Sequence, residues 1–165
     1  MAAVVLNQFD VEKRPNTMAT FNKILIPYYG SEACKRAAGK AIELAKEQGA
    51  ELVGLKVIAF SFETIAPSDN LWEAIRDDLQ GKAEATLSKL EEQVKESGLE
   101  IKLEIREGDA EDEIISVANE VGADLIVMSL GSRVSRLGKF LGKGQQRLSV
   151  RTLVGESPCP VMFIS

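Results

Sequence analysis

Residues 23–58 read KILIPYYGSEACKRAAGKAIELAKEQGAELVGLKVI, and this stretch decides the fold. It opens on a short apolar run, Ile24-Leu25-Ile26, of the kind buried on both faces of a parallel sheet. Gly30-Ser31 follows, and Ser31 is placed to cap a helix, because its hydroxyl accepts an N–H that the first turn leaves open. Ala33, Ala37, Ala38, Ala41, Ile42 and Ala45 then fall on one helical face, and Gly49 ends the helix. Side chains this small let the helix lie close against a sheet. Leu52 to Ala59 reads as a second strand.

The same rhythm continues toward the C-terminus. Residues 60–70 read as a loop broken by Pro67 and Asn70. From Leu71 a long helix carries apolar residues at 71, 75, 79, 83, 87, 90 and 94 and stops at Gly98. Leu99 to Ile105 alternates apolar and charged residues, as a half-exposed edge strand does. Asp109 caps a third helix whose acidic first turn, Glu111-Asp112-Glu113, complements the helix dipole. Leu125 to Met128 is a continuous apolar strand, a last helix is expected over 146–154, and Pro160 to Ile164 closes the chain as a strand. Alternation of this kind implies right-handed crossovers and a doubly wound parallel sheet with helices on both faces. Ligands in such sheets bind beyond the carboxyl ends of the strands, where strand order reverses. The first and fourth strands are the most apolar and belong at the centre. Tyr28-Tyr29-Gly30-Ser31 and residues 131–147 then face each other across the crevice.

Composition narrows the chemistry. At 165 residues the chain divides into a flexible N-terminal extension, 1–20, and a single domain, 21–165. No apolar run approaches the length of a membrane span, and the opening MAAVVL is too short for a signal-peptide core, so a cytoplasmic protein is expected. Cys34 and Cys159 share no metal-ligand spacing. There is no histidine, which removes the commonest general base, every Ser-His or Cys-His pair and most zinc sites. No catalytic residue and no metal site are assigned, and an enzyme is not expected; a weak ATPase is the least favoured alternative, since no general base is visible in the sequence.

The net charge of −5 is unevenly spread. Residues 125–155 hold six Lys/Arg and no acid, so the rest carries 14 positive against 25 negative charges, or −11. Within that stretch, GSRVSRLGKFLGKGQQR (131–147) has four glycines and five basic side chains. It is not a P-loop, since only three residues separate Gly138 from Gly142-Lys143 and Gly144 follows where Ser or Thr belongs. It is not a dinucleotide fingerprint either, because Arg147 stands at the third glycine position. Glycines that let backbone N–H groups approach an anion, ahead of a helix N-terminus, suit a phosphorylated ligand or an acidic partner. The overall acidity and the single aromatic, Phe140, argue against nucleic acid.

The segments ILIPYYGSEACKRAAGKAIELAKEQGAELVGLKVI, GADLIVMSLGSR and SPCPVMFIS resemble the universal stress protein family, in the family's order over residues 22–165. The resemblance implies a five-stranded parallel sheet in the order 3-2-1-4-5, Rossmann-like and close to the adenine nucleotide alpha hydrolases. It also implies a homodimer in which the last strands, here Val161, Met162, Phe163 and Ile164, pair across a twofold axis. Family members that bind ATP carry an Asp after the first strand and a Gly-x-x-Gly-x9-Gly-Ser/Thr loop. Tyr29 stands at the Asp position here, Val134 at the second Gly, Gly144 keeps the spacing, and Gln145 replaces the Ser or Thr. The crevice so defined comprises Pro27, Tyr28, Tyr29, Val57, Met128, Gly131, Ser132, Arg133, Gly144 and Gln145. The expected function is that of a non-enzymatic stress-response module with a degenerate nucleotide crevice, acting through a regulatory protein partner. The alternative is a sensor of ATP, AMP or another phosphorylated ligand.

Overall fold

The structure, a computed structural model, describes residues 3–6, 20–59, 69–130 and 150–165. The elements run β1 (Ala3–Leu6), β2 (Lys23–Pro27), α1 (Glu32–Gln48), β3 (Glu51–Ile58), α2 (Asp69–Glu96), β4 (Ile101–Glu107), α3 (Ala110–Val121), β5 (Leu125–Ser129), α4 (Val150–Glu156) and β6 (Val161–Ile164). Strands β2 to β6 pair in parallel in the spatial order β4-β3-β2-β5-β6. That is the expected 3-2-1-4-5 sheet, with order reversing between β2 and β5. The first and fourth parallel strands, β2 and β5, are adjacent and buried, as their unbroken apolar runs require.

Each face has its own core. On one side Ile24, Ile26 and Leu52 pack under α1 and α2 through Ala38, Ala41, Leu87 and Leu90. On the other, Leu25, Val53, Leu55, Ile126 and Phe163 pack under α3 and α4 through Ile114, Val117 and Leu153. The alanine face of α1 is buried at residues 37, 38, 41 and 45, as its close approach to the sheet demands. Ser31 caps that helix by accepting from the Cys34 N–H, and Gly49 ends it in the left-handed region at φ 71°. Asp109 caps α3 with bonds from the Glu111 and Asp112 N–H groups. At the amino ends of the central strands, the Asp124 carboxylate accepts from the backbone N–H of Asn22 at 2.8 Å and of Lys23 at 3.0 Å, pinning β2 to β5.

One expectation is corrected. Residues 3–6 are not part of a flexible extension: they form a sixth strand, antiparallel to β6, with Ala3, Val4, Val5 and Leu6 opposite Ile164, Phe163, Met162 and Val161. Within this one chain the outer edge of β6 is paired with β1. The reason is that an apolar edge strand presents unpaired N–H and C=O groups, and a second apolar strand on the same chain satisfies them. No helix among the described residues is long and apolar enough to cross a membrane.

Candidate functional site

Past Pro27, the Tyr28 N–H donates to the Leu55 carbonyl at 2.8 Å, and the chain then turns at Gly30. Gly30 has φ +83°, a conformation costly for other residues, and a Cβ there would stand 3.2 Å from Thr86 Cγ2. The turn sends the two tyrosines in different directions. Tyr28 is wholly buried in the core under α1 and α2, and its hydroxyl has no hydrogen-bond partner. It also lines a cavity of about 300 Å³ between those helices, together with Lys35, Lys89, Glu92, Gln93 and Glu96. Tyr29 instead lies over the carboxyl end of β3, with Lys56 Nζ 4.6 Å from its ring centroid. Although a good third of Tyr29 is exposed, its hydroxyl is pushed up to about 12, by desolvation first and then by the negative charges of Cys34 and Asp109. It is a neutral phenol throughout the physiological range.

Beside Tyr29 the first turn of α1 meets the end of β5. Cys34 is buried, and its sulfur accepts from the Ser31 hydroxyl at 3.2 Å while lying 3.3 Å from the Ser129 hydroxyl. Burial alone would raise this thiol. Hydrogen bonds from Ser129, from Ser31 and from the backbone at Tyr29 and Ser31 outweigh that and hold it below the ordinary cysteine range. Lys56 is lowered by desolvation, partly offset by the adjacent Cys34. Ser129 is one of two buried polar residues among the described ones, and its contact with Cys34 accounts for its tolerance there.

The ends of β2, β3 and β5 thus bring together Tyr29, Gly30, Ser31, Cys34, Lys56 and Ser129. Of the residues assigned to the crevice from sequence, only Tyr29 is exposed among those described. Pro27 and Tyr28 are buried, and Val57 and Met128 point into the core under α3 and α4. Gly131, Ser132, Arg133, Gly144 and Gln145 lie outside the described residues. Lys56, Cys34 and Ser129 were missed. Lys56 did leave a signal, being the one charge inside the otherwise apolar LVGLKVI of β3. The set holds a cation, an aromatic ring and hydroxyl donors but no free carboxylate to act as general base. Asp109, near enough to influence Tyr29, has its Oδ1 engaged in capping α3. Among the described residues no cluster of three or more His, Cys, Asp or Glu is placed to hold a metal ion.

A doubly wound parallel sheet whose strand order reverses between β2 and β5 defines a Rossmann-like α/β domain. Residues 20–165 match the model of the universal stress protein family, and the chain belongs to that family. It is 31% identical over 144 residues to the universal stress protein MJ0531 of Methanocaldococcus jannaschii, covering 87% of this chain and 82% of that one. Its fold is shared with universal stress protein UspA from Lactobacillus plantarum, at TM-score 0.69 and 23% identity, over 90% of this chain and all of that one. It is shared as well with a family protein of Arabidopsis thaliana solved with AMP bound, at TM-score 0.57 and 21% identity, over 87% of this chain and 90% of the other.

Proposed function

We propose that this chain is a non-enzymatic regulatory module whose crevice grips ATP weakly, and that it acts through a protein partner. The observation that carries this is Tyr29 with Lys56 against its ring, at the position where the family resemblance puts an aspartate. A carboxylate there accepts hydrogen bonds from the nucleoside. A phenol raised to about 12 stays protonated and offers a donor, and the neighbouring ammonium adds positive charge where a negative one serves. Hydrogen bonds to a charged group are worth about 1.5–3 kcal/mol, so the exchange weakens binding roughly 10- to 150-fold. The sequence holds no histidine, and among the described residues the carboxylate near Tyr29, Asp109, is engaged in capping α3, which supports a module without hydrolytic chemistry. The basic stretch 131–147 offers an acidic partner protein its complement.

Tyr29→Asp tests the reading by calorimetric titration with ATP. Binding tightened at least tenfold over wild type is the expected result. Micromolar ATP binding by wild type that Tyr29→Asp leaves unchanged would overturn it. A second reading, a sensor of AMP or a related phosphorylated ligand, draws support from the AMP-bound relative and from the cation at Lys56.

A further inference from the structure

We propose that the cavity between α1 and α2 is a second ligand site, separate from the Tyr29–Lys56 crevice, and that it takes a small zwitterion of amino-acid size with a polar tail. Tyr28 is the one buried residue of its lining, and the Tyr28 hydroxyl has no hydrogen-bond partner among the described residues. A buried hydroxyl left unpaired is costly, and phenylalanine would fill the same space without that cost. At about 300 Å³ the cavity lies at the small end of ligand pockets, which run to roughly 1,000 Å³. That size suits an amino acid better than a nucleotide.

The walls supply charges of both signs. Lys89, Glu92, Gln93 and Glu96 follow one another at helical spacing along α2, and Lys35 joins them from α1. Gln93 Nε2 donates to the Lys35 carbonyl at 3.0 Å, which ties the two helices together beside the cavity. Lys35 is already paired with Glu32 at 2.7 Å. Lys89, Glu92 and Glu96 make no ion pair or side-chain hydrogen bond among the described residues, although the same helix pairs Lys82 with Asp78 and Lys95 with Glu91. Glu92 and Glu96 stand about one turn apart at the carboxyl end of α2, where like charge and the helix dipole both disfavour a carboxylate. A ligand ammonium at these carboxylates offsets both effects. Lys89, about one turn earlier, offers a ligand carboxylate its partner. The tail then reaches Tyr28, whose phenol donates to a carbonyl oxygen. Together these groups select an α-amino acid with a carboxamide or ureido tail.

The test titrates the full, isotope-labelled chain separately with L-glutamine, L-asparagine and L-citrulline to about 10 mM, tenfold above a Kd of about 1 mM. At least one of the three should give saturable NMR shifts at the Lys35 and Gln93 amides and none at Lys56. Tyr28→Phe keeps the ring, so it should hold the wild-type circular dichroism and weaken that binding roughly 2- to 10-fold. Glu92→Gln/Glu96→Gln, at two exposed positions, should weaken it at least about 10-fold, because hydrogen bonds to a charged group are lost. No saturable shift with any of the three amino acids would overturn the proposal, as would shifts centred on Gly30 and Lys56. Affinity unchanged by Tyr28→Phe or by the paired glutamate variant would overturn it too. So would a Tyr28→Phe chain that fails to fold, since the hydroxyl would then serve the structure rather than a ligand.

Discussion

Gly54 sits in the middle of β3, between Ile26 of β2 and Leu103 of β4, directly beneath α2. A Cβ added there would stand 2.7 Å from Leu90 Cδ2, 3.1 Å from Leu103 Cδ2 and 3.3 Å from Ile101 Cδ1. Comfortable carbon contacts begin near 3.5 Å, so Leu90 must retreat by roughly 0.8 Å in the Gly54→Ala variant. Leu103 is 37% exposed and can swing outward, whereas Leu90 is fully buried and carries α2 with it. Overpacking of this kind costs about 1–3 kcal/mol, against a gain of about 0.4–1 from the stiffer unfolded chain. The expected net loss is about 1–2 kcal/mol, read as a lower urea midpoint with unchanged slope and a Tm lower by about 2–8 °C. The second half of a double-mutant cycle isolates the contact. Leu90→Ala alone should cost about 2–5 kcal/mol, and in the Gly54→Ala background at least ~1 kcal/mol less, because the new methyl occupies part of the vacated space. A neutral Gly54→Ala, or strictly additive costs, would refute the claim that α2 rests on the sheet through this glycine.

Other outcomes follow from the same packing and electrostatics. Burial raises the Cys159 thiol to about 11, so between the ordinary cysteine value near 9 and pH 11 the unfolded chain releases a proton that the folded chain keeps. Stability should fall by up to about 1.4 kcal/mol per pH unit across that window, and Cys159→Ala should flatten the slope in urea titrations. Cys34 is shifted the other way, and Ser129→Ala, which deletes one of its hydrogen bonds, should raise its thiolate midpoint in a 240 nm absorbance titration. Asp124→Ala leaves the Asn22 and Lys23 N–H groups without their carboxylate and should cost about 1.5–3 kcal/mol, with Asp124→Asn recovering part of it.

Most of the parallel sheet was legible in the sequence because its signals are local. Ser31 and Asp109 announce their helices by capping chemistry, Gly49 closes one, and the unbroken apolar runs of β2 and β5 mark them as central. β1 was not legible. Ala3-Val4-Val5-Leu6 is too short to signal a strand by periodicity, and what makes it one is an edge at Val161–Ile164, more than 150 positions away along the chain. The crevice divides the same way. Tyr29 could be picked out because it follows a strand end at the switch point, and Val57 and Met128 were assigned there although strand alternation turns them into the opposite core. Cys34 and Ser129 meet only through a contact spanning 95 positions, which no local pattern encodes.

The central claim is that a neutral Tyr29 beside Lys56 leaves this family member without a tight hold on ATP. The most direct measurement is to denature the purified full chain with acid, chromatograph the supernatant for nucleotides, and titrate ATP and AMP into ligand-free protein by calorimetry. The account predicts a clean supernatant and no ATP binding in the micromolar range. Co-purified ATP, or micromolar binding by the wild-type chain, would contradict it.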